Sequence, residues 1–200
     1  MKAANTTGTD TKEVADNLTA LWNGFNVGAE DAEIYVDRLA ALAASTASNL
    51  DELTTAMSKT ASMANVMGVS EEQLAAQIAT VVSVTRQAPE SVGTAFKTIY
   101  ARISDISTGA EDAETTLGNY SSKLAAMGIN VLDSSGKLRD MGEVIEEVGG
   151  KWSSYSKEQQ VAIAGIMGGQ RQVNQITALF DNWDEYTESI ETMANAEGTL

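Results

Sequence analysis

Two hundred residues, 43% apolar and 20% charged, are enough to bury a real core in one domain or two small ones. A formal charge of −15 excludes nucleic-acid binding through a basic face, because so acidic a chain repels a phosphate backbone. With neither cysteine nor histidine, the chain can form no disulfide, no thiolate or imidazole metal site, and none of the catalytic chemistry that relies on those side chains. A single proline, where roughly 5% is usual, and alanine-rich runs such as LAALAAS and EEQLAAQIA favour long helices. No apolar run reaches the roughly 18 residues of a membrane span. The opening MKAANTTGTDTKEVADNL has no apolar segment of the signal-peptide kind, so the chain is expected to be cytoplasmic when made.

Residues 1–10 are small and polar and read as a disordered stretch. Asp10 to Glu13 has the form of a capping box, opening a helix with Val14, Leu18, Leu21 and Trp22 on one face. Gly24 reads as its left-handed cap. A second helix is expected from Glu30 to Thr46 with Ile34, Leu39, Leu42 and Ala43 inward, and a third from Asn49 through Leu50, Leu53, Met57, Ala61 and Ala64 to Met67, stopped by Gly68. Ser70-Glu-Glu-Gln73 is a capping box. The apolar spacing of Leu74, Ile78, Val81 and Val82, then of Val92, Ala95, Phe96, Ile99, Tyr100 and Ile103, predicts two helices meeting at Pro89 as a hairpin. Pro89 ends the first near Arg86 or Gln87 and suits the first turn of the second.

Past the loop SDISTGAEDAE, Leu117, Tyr120 and Leu124 mark another helix. Alternation in Ile129-Asn-Val-Leu-Asp133, turn chemistry in Ser134-Ser-Gly136, and Lys137 to Asp140 predict one short β-hairpin near 129–139, with a surface loop as the alternative. Helical spacing resumes from Val144 to Trp152 and again behind a capping box at Ser156 to Gln159. Gly168-Gly169 interrupts it, and a last helix follows from Val173 to Met193. Six acidic residues and no basic one between Asp181 and Glu197 make a solvated face. The fold class is therefore mainly α, packed helical hairpins with one short β-hairpin, divided into a helical region at 11–107 and a second at 108–200. ANVMGVS at 64–70 and LAAMGIN at 124–130 share helix-ending chemistry, not a duplication.

Catalytic constellations are nearly absent, and the chain does not read as an enzyme. Ser154 and Lys157 have the spacing of some acyl-transfer enzymes, but a helix start accounts for them. Glu146 and Glu147 diverge as neighbours on a helix. Asp133-Ser-Ser-Gly136 lacks the alternating oxygen ligands of a calcium loop. Gly165 to Gly169 has no Walker lysine, so a kink or close packing explains it. No cofactor motif and no metal motif is present. Trp22-Asn-Gly24 resembles the tripeptide of small secreted helical hairpins of WXG type, which gives a secreted effector as the alternative function.

The order of segments is more specific. Residues 68–106, with Ser91, Gly93, Thr94, Ala95, Phe96 and Lys97 in SVGTAFK, resemble the core region of phage tail tape measure proteins. MGINVLDSSGKLRDMGEVIEEVGGKW is similar to that family's next block, with Gly136, Arg139 and Asp140 in its G-x-x-R-D. KEQQVAIAGIMGGQRQVNQITALFDNWDEY is similar to the block after it, with Gly169, Arg171 and Gln172. The resemblance spans roughly residues 14–196 of this sequence and implies a piece of a longer chain that sets tail length. Such a protein occupies the tail tube lumen until genome ejection. It implies tail assembly chaperones, tail tube subunits and distal tail or tip proteins as partners, self-association, and membrane contact only at ejection. The place implied is the host cytoplasm during assembly and then the virion tail lumen. One continuous helix of this length would reach up to roughly 300 Å, but the breaks at Gly68, Pro89, Gly109, Gly136 and Gly168 predict helices folded back on one another.

Overall fold

Capping chemistry decides where three of the helices begin. The computed structural model describes residues 11–28, 31–46, 48–108 and 117–196. Among them run α1 (Thr11–Phe25), α2 (Ala32–Ser45), α3 (Leu50–Ser58), α4 (Ala61–Val66), α5 (Glu71–Thr85), α6 (Pro89–Thr108), α7 (Leu117–Ala126), α8 (Met141–Gly150), α9 (Lys157–Asp181) and α10 (Trp183–Ala194). At α5 the Ser70 hydroxyl accepts from the Gln73 amide at 3.1 Å, and the Gln73 Oε1 accepts from the Ser70 amide at 2.9 Å. Ser156 and Gln159 repeat the exchange at α9, and Asn49 and Glu52 at α3. Each box gives partners to amides that the first helical turn leaves orphaned. The expected box at Asp10 and the break at Gly109 lie outside the described residues.

The Pro89 joint matches its sequence reading. Arg86 closes α5 in the left-handed region at φ 55°. The Ala88 carbonyl accepts from the Ser91 and Val92 amides, so Pro89 sits at the first helical position, where its missing N–H costs nothing. The two helices are tied by a buried bond, with the Tyr100 hydroxyl donating to Gln77 Oε1 at 2.5 Å. Gln77 Nε2 has no partner among the described residues. Tyr100→Phe would therefore leave both polar ends of a fully buried amide unmet. We expect a loss of roughly 1–2 kcal/mol, read as a lower urea midpoint at unchanged slope.

The paired sequences at Gly68 and Gly128 end their helices identically. Both glycines have positive φ, 68° and 81°. Val69 and Gly68 donate to the carbonyls of Ala64 and Asn65; Ile129 and Gly128 donate to those of Leu124 and Ala125. Each is a Schellman closure with a buried apolar residue just beyond it.

Several expectations are corrected. No strand forms among the described residues, and the hairpin expected near 129–139 is reduced to one antiparallel bridge between Leu132 and Leu138. The Asp133 amide donates to the Lys137 carbonyl, but the reciprocal ladder bond is missing, because the Lys137 amide donates instead to the Asp133 carboxylate. At the other end the chain turns into α8 at Asp140. Gly24 is not the cap of α1. It lies in the last turn, where an added Cβ would stand 2.6 Å from Ala61 Cβ, and Asn26 takes the left-handed position at φ 56°. The single helix expected from Asn49 to Met67 breaks at Thr60, and the last helix breaks at Asn182. Ile34, expected inward, is 39% exposed.

Among the described residues one apolar cluster joins Val14 in α1 to Met193 in α10, with Phe96, Tyr100 and Phe180 its largest fully buried side chains. Within it α6 packs chiefly on α3 and α9, and α5 on α10 and α9. Aromatic rings carry the packing to the far end: Trp152 lies 4.9 Å from Phe180 and Trp183 4.2 Å from Tyr186, centroid to centroid.

Candidate functional site

The residues singled out by the motif blocks fall at three joints of the fold. On α6, Val92, Gly93, Ala95 and Phe96 are buried, while Ser91, Thr94 and Lys97 are exposed. Gly93 is the contact point, since an added Cβ would stand 2.1 Å from the Ala56 carbonyl oxygen of α3. The motif thus has an inner face that fixes a helix crossing and an outer polar face.

The second joint is the loop before α8. Asp133 folds it locally: its Oδ1 accepts from the Ser135 amide at 2.8 Å, the Ser135 hydroxyl at 2.7 Å and the Lys137 amide at 3.0 Å. The Ser135 hydroxyl bond, followed by the backbone amides, holds this exposed carboxyl below its ordinary range. Gly136 supplies the turn at φ 79°. Arg139 braces the base of the loop, donating to the Asn130 carbonyl at 2.8 Å and to Glu147 at 3.1 Å. Asp140 packs on Gly68, where an added Cβ would meet its carboxylate at 2.2 Å, and the Met141 amide donates to the Met67 carbonyl at 2.7 Å. The loop is thereby docked on the α4–α5 turn.

The third joint is the kink in α9. Gly169 is non-helical at φ 62° and ψ −171°, which frees carbonyls of the preceding turn. Arg102 of α6 takes one of them, its Nε donating to the Ile166 carbonyl at 2.7 Å, with its guanidinium over the Tyr120 ring at 5.4 Å. The fold therefore links α6 to the glycine break through Arg102. Arg171 is exposed and Gln172 half-buried just beyond the kink. Sequence reasoning missed Arg102 because nothing in its local pattern marks it as the partner of a carbonyl 64 positions away.

The acidic pair weighed for acid–base work is occupied structurally. Glu146 accepts from Gln73 of α5 at 2.9 Å and from the Tyr186 hydroxyl of α10 at 3.1 Å. Glu147 pairs with Lys151 at 2.8 Å and with Arg139, and the Lys151 bond chiefly holds its carboxyl below the ordinary range. Ser154 donates to the Lys151 carbonyl at 2.6 Å, as a turn residue does. Among the described residues no acidic group is arranged to hold a metal ion, and no helix is long and apolar enough to cross a membrane.

No solved structure matches the chain. The model of a family described as phage-related minor tail protein matches residues 1–169, a stretch that contains the α6 face and the Asp133 loop and ends at the kink. Helices, turns and joints up to Gly169 therefore fall within one family pattern, and the chain belongs to the phage-related minor tail protein family.

Proposed function

We propose that this chain is the core segment of a tape measure protein, a compact assembly module within a longer ruler. The observation that carries the reading is the order of three blocks, SVGTAFK, the Gly136 to Asp140 loop and the Gly169 to Gln172 break, along a chain of the minor tail family. In support, each block lies at a joint between helices, which suits a module whose shape matters more than its length. The role is mechanical, with no reaction assigned to any residue. The full protein sets tail length and fills the tail tube lumen until it is released at genome ejection. Its partners are tail assembly chaperones, tube subunits and distal tail or tip proteins, and it self-associates in the tail. It is assembled in the host cytoplasm, with residues 11–107 and 108–200 as successive helical regions.

In-frame deletions in the parent gene test this by electron microscopy of the tails. Deletions in helical sequence outside this segment should shorten tails by about 1.5 Å per residue, whereas deleting residues 70–105 should abolish assembly. Normal but shorter tails after the 70–105 deletion would overturn the module. Unchanged tail length after the outer deletions would overturn the ruler.

A further inference from the structure

The Asp133 loop holds its own shape with several polar bonds, at Asp133 and at Arg139. Ile129 and Val131 point inward and are buried. On the outer side Asn130, Leu132, Asp133 and Ser134, with Leu138, Arg139, Asp140 and Glu143, line an open groove. Leu132 and Leu138 are half-buried, pack in part against the core, and are the groove's two apolar lining residues. The two ladder bonds, Asp133 to Lys137 at 2.8 Å and Arg139 to Val131 at 3.0 Å, flank the Leu132–Leu138 pair. That makes it a non-hydrogen-bonded pair, in which each residue's own N–H and C=O point away from the other. Neither leucine's main chain has a partner among the described residues.

The charges lining the groove are unbalanced. Arg139 is committed to Glu147 and Asn130, and Asp133 to its own turn. Asp140 and Glu143 have no cationic partner among the described residues. We infer that this groove binds an extended, lysine- or arginine-bearing segment of a partner protein. The segment sets alternate apolar side chains on Leu132 and Leu138, basic ones toward Asp140 and Glu143, and main-chain groups toward the free edge at Leu132. A loop held rigid in advance loses little entropy on binding. The inference does not depend on the tape measure reading.

The test is titration of the 15N-labelled 200-residue chain with a capped nonapeptide of alternating valine and lysine. Saturable shifts are expected at the amides of Leu132, Ser134, Leu138 and Glu143, with none from a valine–glutamate peptide. N-methylation of alternate peptide amides, and separately the double variant D140N/E143Q, should each weaken binding about tenfold, with the variant's amide spectrum away from the groove matching the parent's to show that it still folds. Several results would overturn it: no binding, equal binding of the glutamate peptide, indifference to either change, or shifts centred on Asp184, Glu188 and Glu191 of α10. Movement of the same amides with protein concentration alone would also do so, and would assign the groove to a second copy of the chain.

Discussion

Gly93→Ala is expected to lower folding stability by about 3 kcal/mol, although alanine is worth about 1 kcal/mol more than glycine inside a helix. The new methyl would stand 2.1 Å from the Ala56 carbonyl oxygen and 2.8 Å from its carbonyl carbon. These are backbone atoms of a helix, so no rotamer change can relieve the overlap. Either α6 must lift from α3 or the pair must slide, and both moves open the core around Phe96, Ile99 and Met57, all fully buried. Gly165→Ala is the matched control. Gly165 also lies inside a long helix, but an added Cβ there meets nothing within 4 Å. That variant should gain about 1 kcal/mol. Urea unfolding followed by circular dichroism would read both. Two changes of the same sign would mean that helix propensity outweighs the α3–α6 contact.

The contrast between these glycines shows what the sequence carries. Local chemistry was legible: Ser70 and Ser156 announce their helices, Pro89 sets its own joint, and Gly68 and Gly128 end helices in the same way. Each is decided within a few residues by hydrogen-bond needs or backbone sterics. Contacts decided across space were not. Gly24 read as a helix stop, yet its lack of a side chain serves the approach of Ala61. The break at Thr60 interrupts an unbroken apolar pattern at the residue before Ala61, where α1 crosses. Alternation around Val131 read as a β-hairpin, but the pattern could not show that the Asp133 side chain would take the Lys137 amide and leave a single bridge in place of strands. The motif residues were visible as letters. Their work as contact points needed the partner helices.

Glu71 is the buried one of the two acids inside the Ser70 to Gln73 capping box. It is 4% exposed, and neither carboxyl oxygen has a hydrogen-bond partner among the described residues. Tyr35, Arg38 and Leu39 of α2, Glu72 and Ala75 of α5, and Met193 of α10 enclose it. Arg38 bonds to Glu72 and so does not satisfy Glu71. Burial, reinforced by the Glu72 charge and opposed by Arg38, pushes the Glu71 carboxyl up from 4.5 to about 8. The unfolded chain releases this proton near 4.5, whereas the folded chain keeps it to about 8. Between those values the folded state binds more protons, and stability falls as pH rises. Below about 4.5 the group contributes no penalty. Above about 8 the penalty is complete, on the order of 5 kcal/mol at roughly 1.4 kcal/mol per unit. Glu71→Gln removes the charge at nearly constant shape, while its amide still lacks partners. The variant should therefore match or slightly trail the parent at pH 4.5, lead it by several kcal/mol at pH 9, and fall between at pH 7. Taking the difference between the two proteins at each pH cancels the general repulsion of a chain with net charge −15, which both share apart from this one group. Parallel stability profiles would mean that Glu71 ionises freely in the folded protein, and that α2 and α10 do not seal it from water.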